Sequence, residues 1–472
     1  MIAKIQLVNN NLGKVLTDLE TLDKLRKHFR IKALGYFYSS AWRSHQWDGY
    51  IHYVRENGNF EIGMAPLVYS ILNEWGYEIS VEDYRQPIFP GKIPTKIGNM
   101  VPRDYQIEGI QNIINNCVGD VPFNRGLVYQ ATNAGKNLLA AMLYKTYNKP
   151  STIFIVNRLH IYQQAIEELG QLFPKDIGFI GPKGKGNPTG IKWNNLMVCM
   201  IQSLSRVNNE QLRQFQMGIV DECHYASTFK WVVNKLNNAY IKLGMSGTLG
   251  KHKDKSKDMK IISYFGPIVH SISNKELIDK GFSSKPIITM VKGGDYIGDG
   301  TYKEEEEQGL IYNKTRNKIA MKRLKLMISK GRLPALIICR YHNHTEYIYK
   351  KIRKKFPELK VEYIHVNVKD RLEKLNKFKM GEVDILVSSL LIKEGKNLPL
   401  VKYLQYLAGG SSAIVLLQVL GRLLRKHKSK KLVWFDDFMD SGKYLKPHSK
   451  KRLKELKAQN LEVRDKWNTN SK

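Results

Sequence analysis

The sequence predicts an α/β protein with mostly parallel sheets, arranged as two tandem lobes behind a small N-terminal α+β module. First, from residue 99 to about 285 apolar runs of strand length alternate with helical patterns, the sign of a parallel sheet covered on both faces. Second, Leu127 to Leu138 reads LVYQATNAGKNL: an apolar run (Leu127, Val128, Tyr129) leads into Ala131-Thr132-Asn133-Ala134-Gly135-Lys136, and helical spacing follows at once (Leu138, Leu139, Ala140, Met142, Leu143). That is strand, phosphate loop, helix. Third, the stretch PGKIPTKIGNMVP, Pro90 to Pro102, is a linker by its Pro and Gly content and sets off everything before it.

Composition bounds the rest. A chain of 472 residues exceeds one ordinary core and calls for two to four domains. Hydrophobic residues at 42% and charged residues at 25% are those of a globular protein. The 76 Lys and Arg against 43 Asp and Glu leave +33, an excess that points to a polyanionic partner. No apolar run reaches the ~20 residues that span a bilayer, and MIAKIQLVNNN has no signal-peptide pattern, so a cytoplasmic protein without membrane attachment is expected. Cys117, Cys199, Cys223 and Cys339 are scattered and form no C-x-x-C pair, which argues against zinc or a disulfide framework and suggests buried small residues.

In chain order, residues 1–98 carry aromatics and turn residues (Tyr36, Phe37, Tyr38, Trp42, Trp47-Asp48-Gly49-Tyr50, Phe60, Gly63) and a helix over Ala65 to Trp75. We assign most of these aromatics to the module's core, and Arg43, His45 and Arg55 are candidates to face phosphates. Arg103-Asp104-Tyr105-Gln106 opens the next section; a Gln amide can read adenine bidentately, or the string simply caps a helix at 105–115. In the phosphate loop, Ala131 replaces the first glycine and Asn137 replaces the hydroxyl residue after the lysine. An amide carbonyl there is a longer substitute for a Mg²⁺-binding hydroxyl. Strands over Thr152 to Val156 and Met197 to Ile201 end at Asn157-Arg158 and Gln202-Ser203-Leu204, and ligands of such sheets gather at strand C-termini. Asp221-Glu222-Cys223-His224 follows the apolar Met217, Ile219 and Val220, and two carboxylates at a buried strand end need a cation such as Mg²⁺. Ser246-Gly247-Thr248 forms a turn after Leu243 to Met245.

His252 to Lys260 and Glu304 to Glu307 are expected as charged surface loops. Strands follow over Ala335 to Cys339, Lys360 to His365 and Asp384 to Val387, ending at Arg340-Tyr341-His342 and Ser388-Ser389, with Glu394-Gly395 beyond. A helix is expected from Gln418 through Arg425, placing Arg422 and Arg425, three apart, on one face. The tail from Lys426 is basic (HKSKK, HSKKRLKELK), either a solvated helix or a further clamp on a polyanion.

Taken together, the motifs between about 100 and 435 resemble those of superfamily 2 helicases and translocases. The Trp47-Asp48-Gly49 turn and Phe60-Glu-Ile-Gly63 narrow the resemblance to phage UvsW-type recombination helicases, with XPB-like repair helicases more distant. The resemblance implies an accessory, DNA-gripping domain at 1–98 and two RecA-like lobes, 99–285 and 286–472, using ATP and Mg²⁺. Thr132, Asn133, Ala134, Gly135 and Lys136 would cradle phosphates, Gln106 with Arg103 the base, and Gly395 another side of the pocket. Asp221, through water, and Asn137 would hold the metal, Glu222 the attacking water. Gln418, Arg422 and Arg425 would complete the catalytic set, the arginines as fingers. Arg158, Gln202, Ser203, Arg340, Ser388 and Ser389 would touch nucleic acid, and His224, Ser246 and Thr248 would couple hydrolysis to movement. The implied activity is that of a monomeric, ATP-dependent DNA helicase on forks, D-loops or four-way junctions. An RNA helicase is the first alternative, although Ser389-Leu390 stands where RNA-acting relatives carry Thr-Asp. The second is a DNA-binding or annealing protein whose hydrolysis Asn137 impairs.

Overall fold

The computed structural model describes residues 1–131, 133–183, 188–224, 235–247, 254–298, 300–390 and 398–465. The chain divides into two compact units, Met1–Ile272 and Ser273–Lys472. Both are α/β and each is built on a largely parallel sheet, the fold class expected.

The first unit holds an eight-stranded sheet in the order Ile191–Lys192, Ile177–Ile180, Leu196–Met200, Thr152–Val156, Met217–Asp221, Ile241–Ser246, Arg125–Gln130, Ile268–Ile272. All pairings are parallel except that of the short edge strand Ile191–Lys192. Because side chains alternate across a strand, Phe154 and Val156 pack on one face under Leu139, Leu143, Ala165 and Leu169. Ile153 and Ile155 pack on the other with Leu204, Leu212, Phe215 and Phe265. Helices Lys136–Thr146 and Leu159–Leu172 thereby cover the first face.

Within the same unit, a four-stranded sheet (Asn59–Glu61, Leu12–Leu16, Ile2–Leu7, Glu78–Asp83) packs with helix Ala65–Glu74 around Ile5, Val15, Phe60, Val68 and Leu72. This module is pinned to the large sheet by buried cations. Arg125 Nη1 and Lys242 Nζ donate to the Asn10 carbonyl at 3.1 and 2.9 Å, and Arg125 Nη2 donates to Tyr264 O at 3.0 Å. Burial lowers the Arg125 guanidinium to about 9, and backbone oxygens rather than carboxylates hold it.

Two expectations for this unit fail. The charged stretch expected as a loop is, from Asp254 on, the cap and first turns of helix Lys255–Phe265; residues 252 and 253 lie outside the described residues. Its lysines crowd the N-terminal turns and mask the apolar period of Ile261, Tyr264 and Phe265, which are buried. The module packs on this helix: Tyr53 OH donates to Ser256 O at 2.7 Å, and a Cβ on Gly63 would lie 2.6 Å from Ser263 O. The aromatics also divide. Phe60 is core, but Tyr36, Phe37, Tyr38, Trp42 and Trp47 are not, because they fall in an excursion between short paired strands Arg30–Lys32 and Tyr50–His52.

The second unit carries a seven-stranded, wholly parallel sheet in the order Val361–Ile364, Ile385–Ser388, Ala335–Ile338, Tyr403–Tyr406, Leu432–Met439, Lys285–Lys292, Val463–Asp465. Three expectations change here. Glu304 to Glu307 is no solvated loop: helix Tyr302–Glu305 runs into a π-helical turn, Glu306–Ile311, and both Glu305 and Glu306 are buried. Glu305 Oε1 accepts from the N–H groups of Tyr444 and Leu445 at 2.9 and 2.7 Å, capping helix Leu445–Ala458. That helix is neither wholly solvated nor wholly basic. Leu445, Leu453 and Leu456 face the core, buried Arg452 pairs with Asp437 at 2.8 Å, and Lys446, Lys450, Lys454 and Lys457 stay exposed.

The third change concerns Arg422 and Arg425. The helix is Ala413–Leu423, and Arg425 lies beyond it, bridged to Ser283, while Ser284 N donates to Leu424 O at 2.7 Å. Ser284 thus takes the carbonyl of the cap residue Leu424, and Lys430 Nζ donates to Leu423 O, so the chain leaves the helix there and a shared helical face does not relate the two arginines. Cys199, Cys223 and Cys339 are buried as expected, whereas Cys117 is exposed. No helix among the described residues is long and apolar enough to cross a membrane.

Candidate functional site

The parallel register brings the C-terminal ends of Arg125–Gln130, Ile241–Ser246 and Met217–Asp221 to one edge of the sheet. The loop after Gln130 turns on Asn133 (φ +85°) and Gly135 (φ +80°), and helix Lys136–Thr146 begins directly behind it. Gly135 is required twice over: its φ is left-handed, and a Cβ would lie 2.6 Å from Gln106 Nε2. The helix's first N–H groups have no intrahelical acceptor and face the loop, an arrangement that binds phosphate. Thr132 lies outside the described residues.

Lys136 spans the intervening strand Ile241–Ser246 to reach both carboxylates at the end of Met217–Asp221. Its Nζ lies 3.2 Å from Glu222 Oε1 and 3.4 Å from Asp221 Oδ1. Burial opposes ionisation of both acids, but the Lys136 ammonium, with His224 behind, holds Glu222 down to about 2. Asp221, buried beside that charge, rides above the usual carboxylate range, and Lys136 is raised in turn by the two acids. Glu222 takes a left-handed backbone (φ +52°), a conformation uncommon for a side chain of this size. His224 Nδ1 lies 3.3 Å from Glu222 Oε2 and 2.8 Å from Ser246 Oγ, joining the two strand ends. Thr248 lies outside the described residues.

Around this centre, Gln106 is nearly fully buried. Its Oε1 accepts from Arg103 N at 3.0 Å and its Nε2 donates to Ala134 O at 3.0 Å. Tyr105 OH also donates to Ala134 O (2.8 Å) and accepts from Arg103 Nη1 (2.8 Å). Both halves of the Gln106 amide are therefore engaged in capping helix Asp104–Ile114 and bracing the loop. Asn137 Nδ2 donates to Glu168 Oε2 at 2.7 Å, and Gln164 occupies the other oxygen at 2.6 Å. Gln164 is legible in the sequence as part of the helix after Arg158, but Glu168 is not, and nothing in local spacing relates either to residue 137. Farther along the same edge, Gln202 is exposed and donates to Asn157 O at 3.2 Å, beside half-buried Arg158; Ser203 is buried.

Two family models match the chain. That described as "Type III restriction enzyme, res subunit" covers residues 99–251, and "Helicase conserved C-terminal domain" covers 318–427. The chain is 24% identical over 458 residues to the ATP-dependent DNA helicase uvsW of Enterobacteria phage T4, covering 89% of this chain and 87% of that protein. It is 24% identical over 370 residues to the DNA 3'-5' translocase XPB2 of Sulfurisphaera tokodaii, covering 70% and 80%. Among solved structures, the fold is similar to S. cerevisiae Dbp5 bound to RNA and ADP BeF3 (TM-score 0.54, 13% identity, 78% of this chain and 90% of that one). It is also similar to the Type ISP restriction-modification enzyme LlaBIII bound to DNA (TM-score 0.57, 12% identity, 84% and 34%). The chain belongs to superfamily 2 of the helicases.

Membership in superfamily 2 implies use of ATP, and the two sheets are its tandem RecA-like lobes. In the second lobe Arg340 Nη2 pairs with Glu306 Oε1 at 3.1 Å, and Tyr341 OH donates to Glu306 Oε2 at 2.6 Å. Glu306 escaped sequence reasoning because a run of four acids reads as solvated; Leu310 and Ile311 behind it were the available sign of burial. Ser388 is buried, its hydroxyl donating to Ser389 O at 2.8 Å, while Ser389 is half-buried. Gln418 and Arg422 lie one turn apart on the helicase's helix Ala413–Leu423, both half-buried, as is Arg425 after it. Gly395 lies outside the described residues.

Proposed function

We propose that this superfamily 2 helicase couples ATP hydrolysis to movement along DNA and works on branched substrates such as forks, D-loops and four-way junctions, in recombination and repair. The observation that carries it is the Lys136 ammonium held between Asp221 and Glu222 at the strand ends beside the phosphate loop. The donor set fits a hard divalent cation: a buried carboxylate already balanced by positive charge, next to a phosphate cradle. Mg²⁺, bound with ATP, supplies charge to the phosphate oxygens, and Asp221 would hold it, with Asn137 a weaker neighbour.

Lys136 turns from the carboxylates to the β/γ-phosphates, and Glu222, released from it, takes the proton of the attacking water. Arg422 and Arg425 place positive charge on the γ-phosphoryl group, with Gln418 beside them. Gln106 braces the loop; it reads the base, with Arg103 beside it, only by exchanging its contacts with Arg103 N and Ala134 O, and Asn133, Ala134 and Gly135 present the backbone. His224 and Ser246 pass the state of Glu222 to the neighbouring strand end. Arg158, Gln202, Ser203, Arg340, Ser388 and Ser389 serve the DNA backbone; of these Gln202 has the exposure this needs, while Arg340 must exchange its Glu306 contact for a phosphate. The functional parts are an accessory DNA-binding module, 1–98, and motor lobes at 99–285 and 286–472, acting as a monomer in the cytoplasm.

The DNA reading is supported by the +33 charge and by two relatives whose names specify DNA. The deciding test is the ATPase rate with single-stranded, blunt duplex, forked and four-way DNA and with RNA. Stimulation greatest with forked or four-way DNA is expected; stimulation by RNA alone overturns the reading. A second reading, nucleotide binding with poor hydrolysis, is favoured by one contact: the Asn137 amide is tied to Glu168 rather than presented as a hydroxyl would be.

A further inference from the structure

Residues 33–49 form an excursion that the core of the first unit does not use. They leave the antiparallel pair formed by Arg30–Lys32 and Tyr50–His52, and not one residue from 32 to 48 is buried. Leaving large rings in water is costly unless something else covers them, yet Tyr38 is 75% exposed, Phe37 48% and Leu34 81%. The rings are nonetheless set in place. Tyr36 packs edge-on to Trp42 at 5.0 Å, and Phe37 and Tyr38 lie 4.3 Å apart. Arg43 donates to the carbonyls of Phe37 and Tyr38 at 3.3 and 3.1 Å, fixing the backbone beneath both rings.

The chemistry around the rings selects the occupant. Lys32 Nζ lies 4.4 Å from the Tyr36 ring and the Arg30 guanidinium 4.3 Å from Tyr50. The single carboxylate between residues 30 and 52 is Asp48, which is already engaged by Tyr50 N (2.9 Å) and His52 Nε2 (2.7 Å). Flat apolar faces bordered by cations suit a polyanion that carries flat faces of its own. In a duplex those faces are hidden against one another; in an unpaired strand they are open. We propose that the 33–49 excursion is a stacking platform for unpaired nucleotides, with bases on Phe37 and Tyr38 and the phosphates beside Lys32, Arg30 and Arg43.

The assignment rests on the DNA reading above and sharpens it: the platform receives the single-stranded arm of a branched substrate. Because Arg125 and Lys242 pin the module to the large sheet through Asn10 O, an arm held there is held at a fixed place on the first unit.

The test is fluorescence anisotropy of the full chain with a labelled single-stranded oligodeoxythymidine and, separately, a blunt duplex. Phe37→Ala with Tyr38→Ala removes exposed rings that no core contact needs. It is expected to weaken single-strand binding by roughly tenfold or more, the scale of lost base stacking, with duplex binding unchanged, and Tyr38→Trp is expected to retain single-strand binding. Equal losses on both probes overturn the platform, as does no loss on either; the latter assigns the rings to a protein partner. If the unsubstituted chain binds neither probe, the DNA reading itself falls.

Discussion

Replacing Lys136 by Met removes the ammonium between Asp221 and Glu222 and keeps an unbranched chain of similar length. The carboxylates are then left at a buried strand end with His224, 3.3 Å from Glu222, as the basic neighbour among the described residues. Removing one partner from a buried ion pair costs about 3–5 kcal/mol. The depression of Glu222 below its ordinary range, caused by the Lys136 ammonium with His224 behind it, agrees in direction with that cost. The sign with pH follows from proton counting. In the native chain Glu222 contributes stability that is complete above 4.5 and lost as pH falls toward 2. In the variant, two mutually repelling buried acids have no ammonium between them, so one takes up a proton that the unfolded chain would release. Stability then falls as pH rises, and the variant's deficit is larger at about pH 8 than at about pH 5. ATPase activity cannot discriminate here, since loss is expected whatever the ion pair contributes. Hydrogen exchange of strands Met217–Asp221 and Arg125–Gln130 in rising urea reads the stability directly. A deficit that is the same at both pH values would refute the electrostatic account of this strand end.

Arg422→Ala is expected to cut ATP turnover by about 10³–10⁵ while leaving DNA affinity nearly unchanged; loss of both together counts against a role at the γ-phosphate. Asn137→Thr replaces the amide bound to Glu168 at 2.7 Å with a hydroxyl suited to Mg²⁺. Steady-state turnover should rise, and a fall would show that Asn137 is itself the better residue here. Burial pushes Lys430 down to about 7 from 10.5, so between those values the unfolded chain binds the proton and the native chain does not. Stability should climb by at most about 1.4 kcal/mol per pH unit across that window, and chemical denaturation of Lys430→Met should lack the extra slope. Gly63→Ala places a Cβ 2.6 Å from Ser263 O and 2.7 Å from Gly266 N, a clash costing about 1–3 kcal/mol. Limited proteolysis should then cut the 1–98 module faster while the large sheet stays protected.

What the sequence determined by itself was local. Thr152–Val156 and Met217–Asp221 are buried parallel strands whose apolar runs betray them, and the left-handed turn at Gly135 sits between a strand and a helix whose periods switch within a few residues. Such features depend on neighbours in the chain, so order along the chain suffices to find them. Tertiary structure decided what long-range contact and burial control. Lys136 meets Glu222 across 86 positions because one strand separates theirs in the sheet. The acids at 305 and 306 are interior because a helix N-terminus and Arg340 receive them. Arg425 leaves its helix because the segment at Ser283 and Ser284 takes over the backbone there, and the rings at 36–42 stand outside the core because the strands on either side of them close the module without them. Charge and hydropathy describe what a residue would prefer; which partner satisfies the preference is set by groups that only folding brings within a few ångströms.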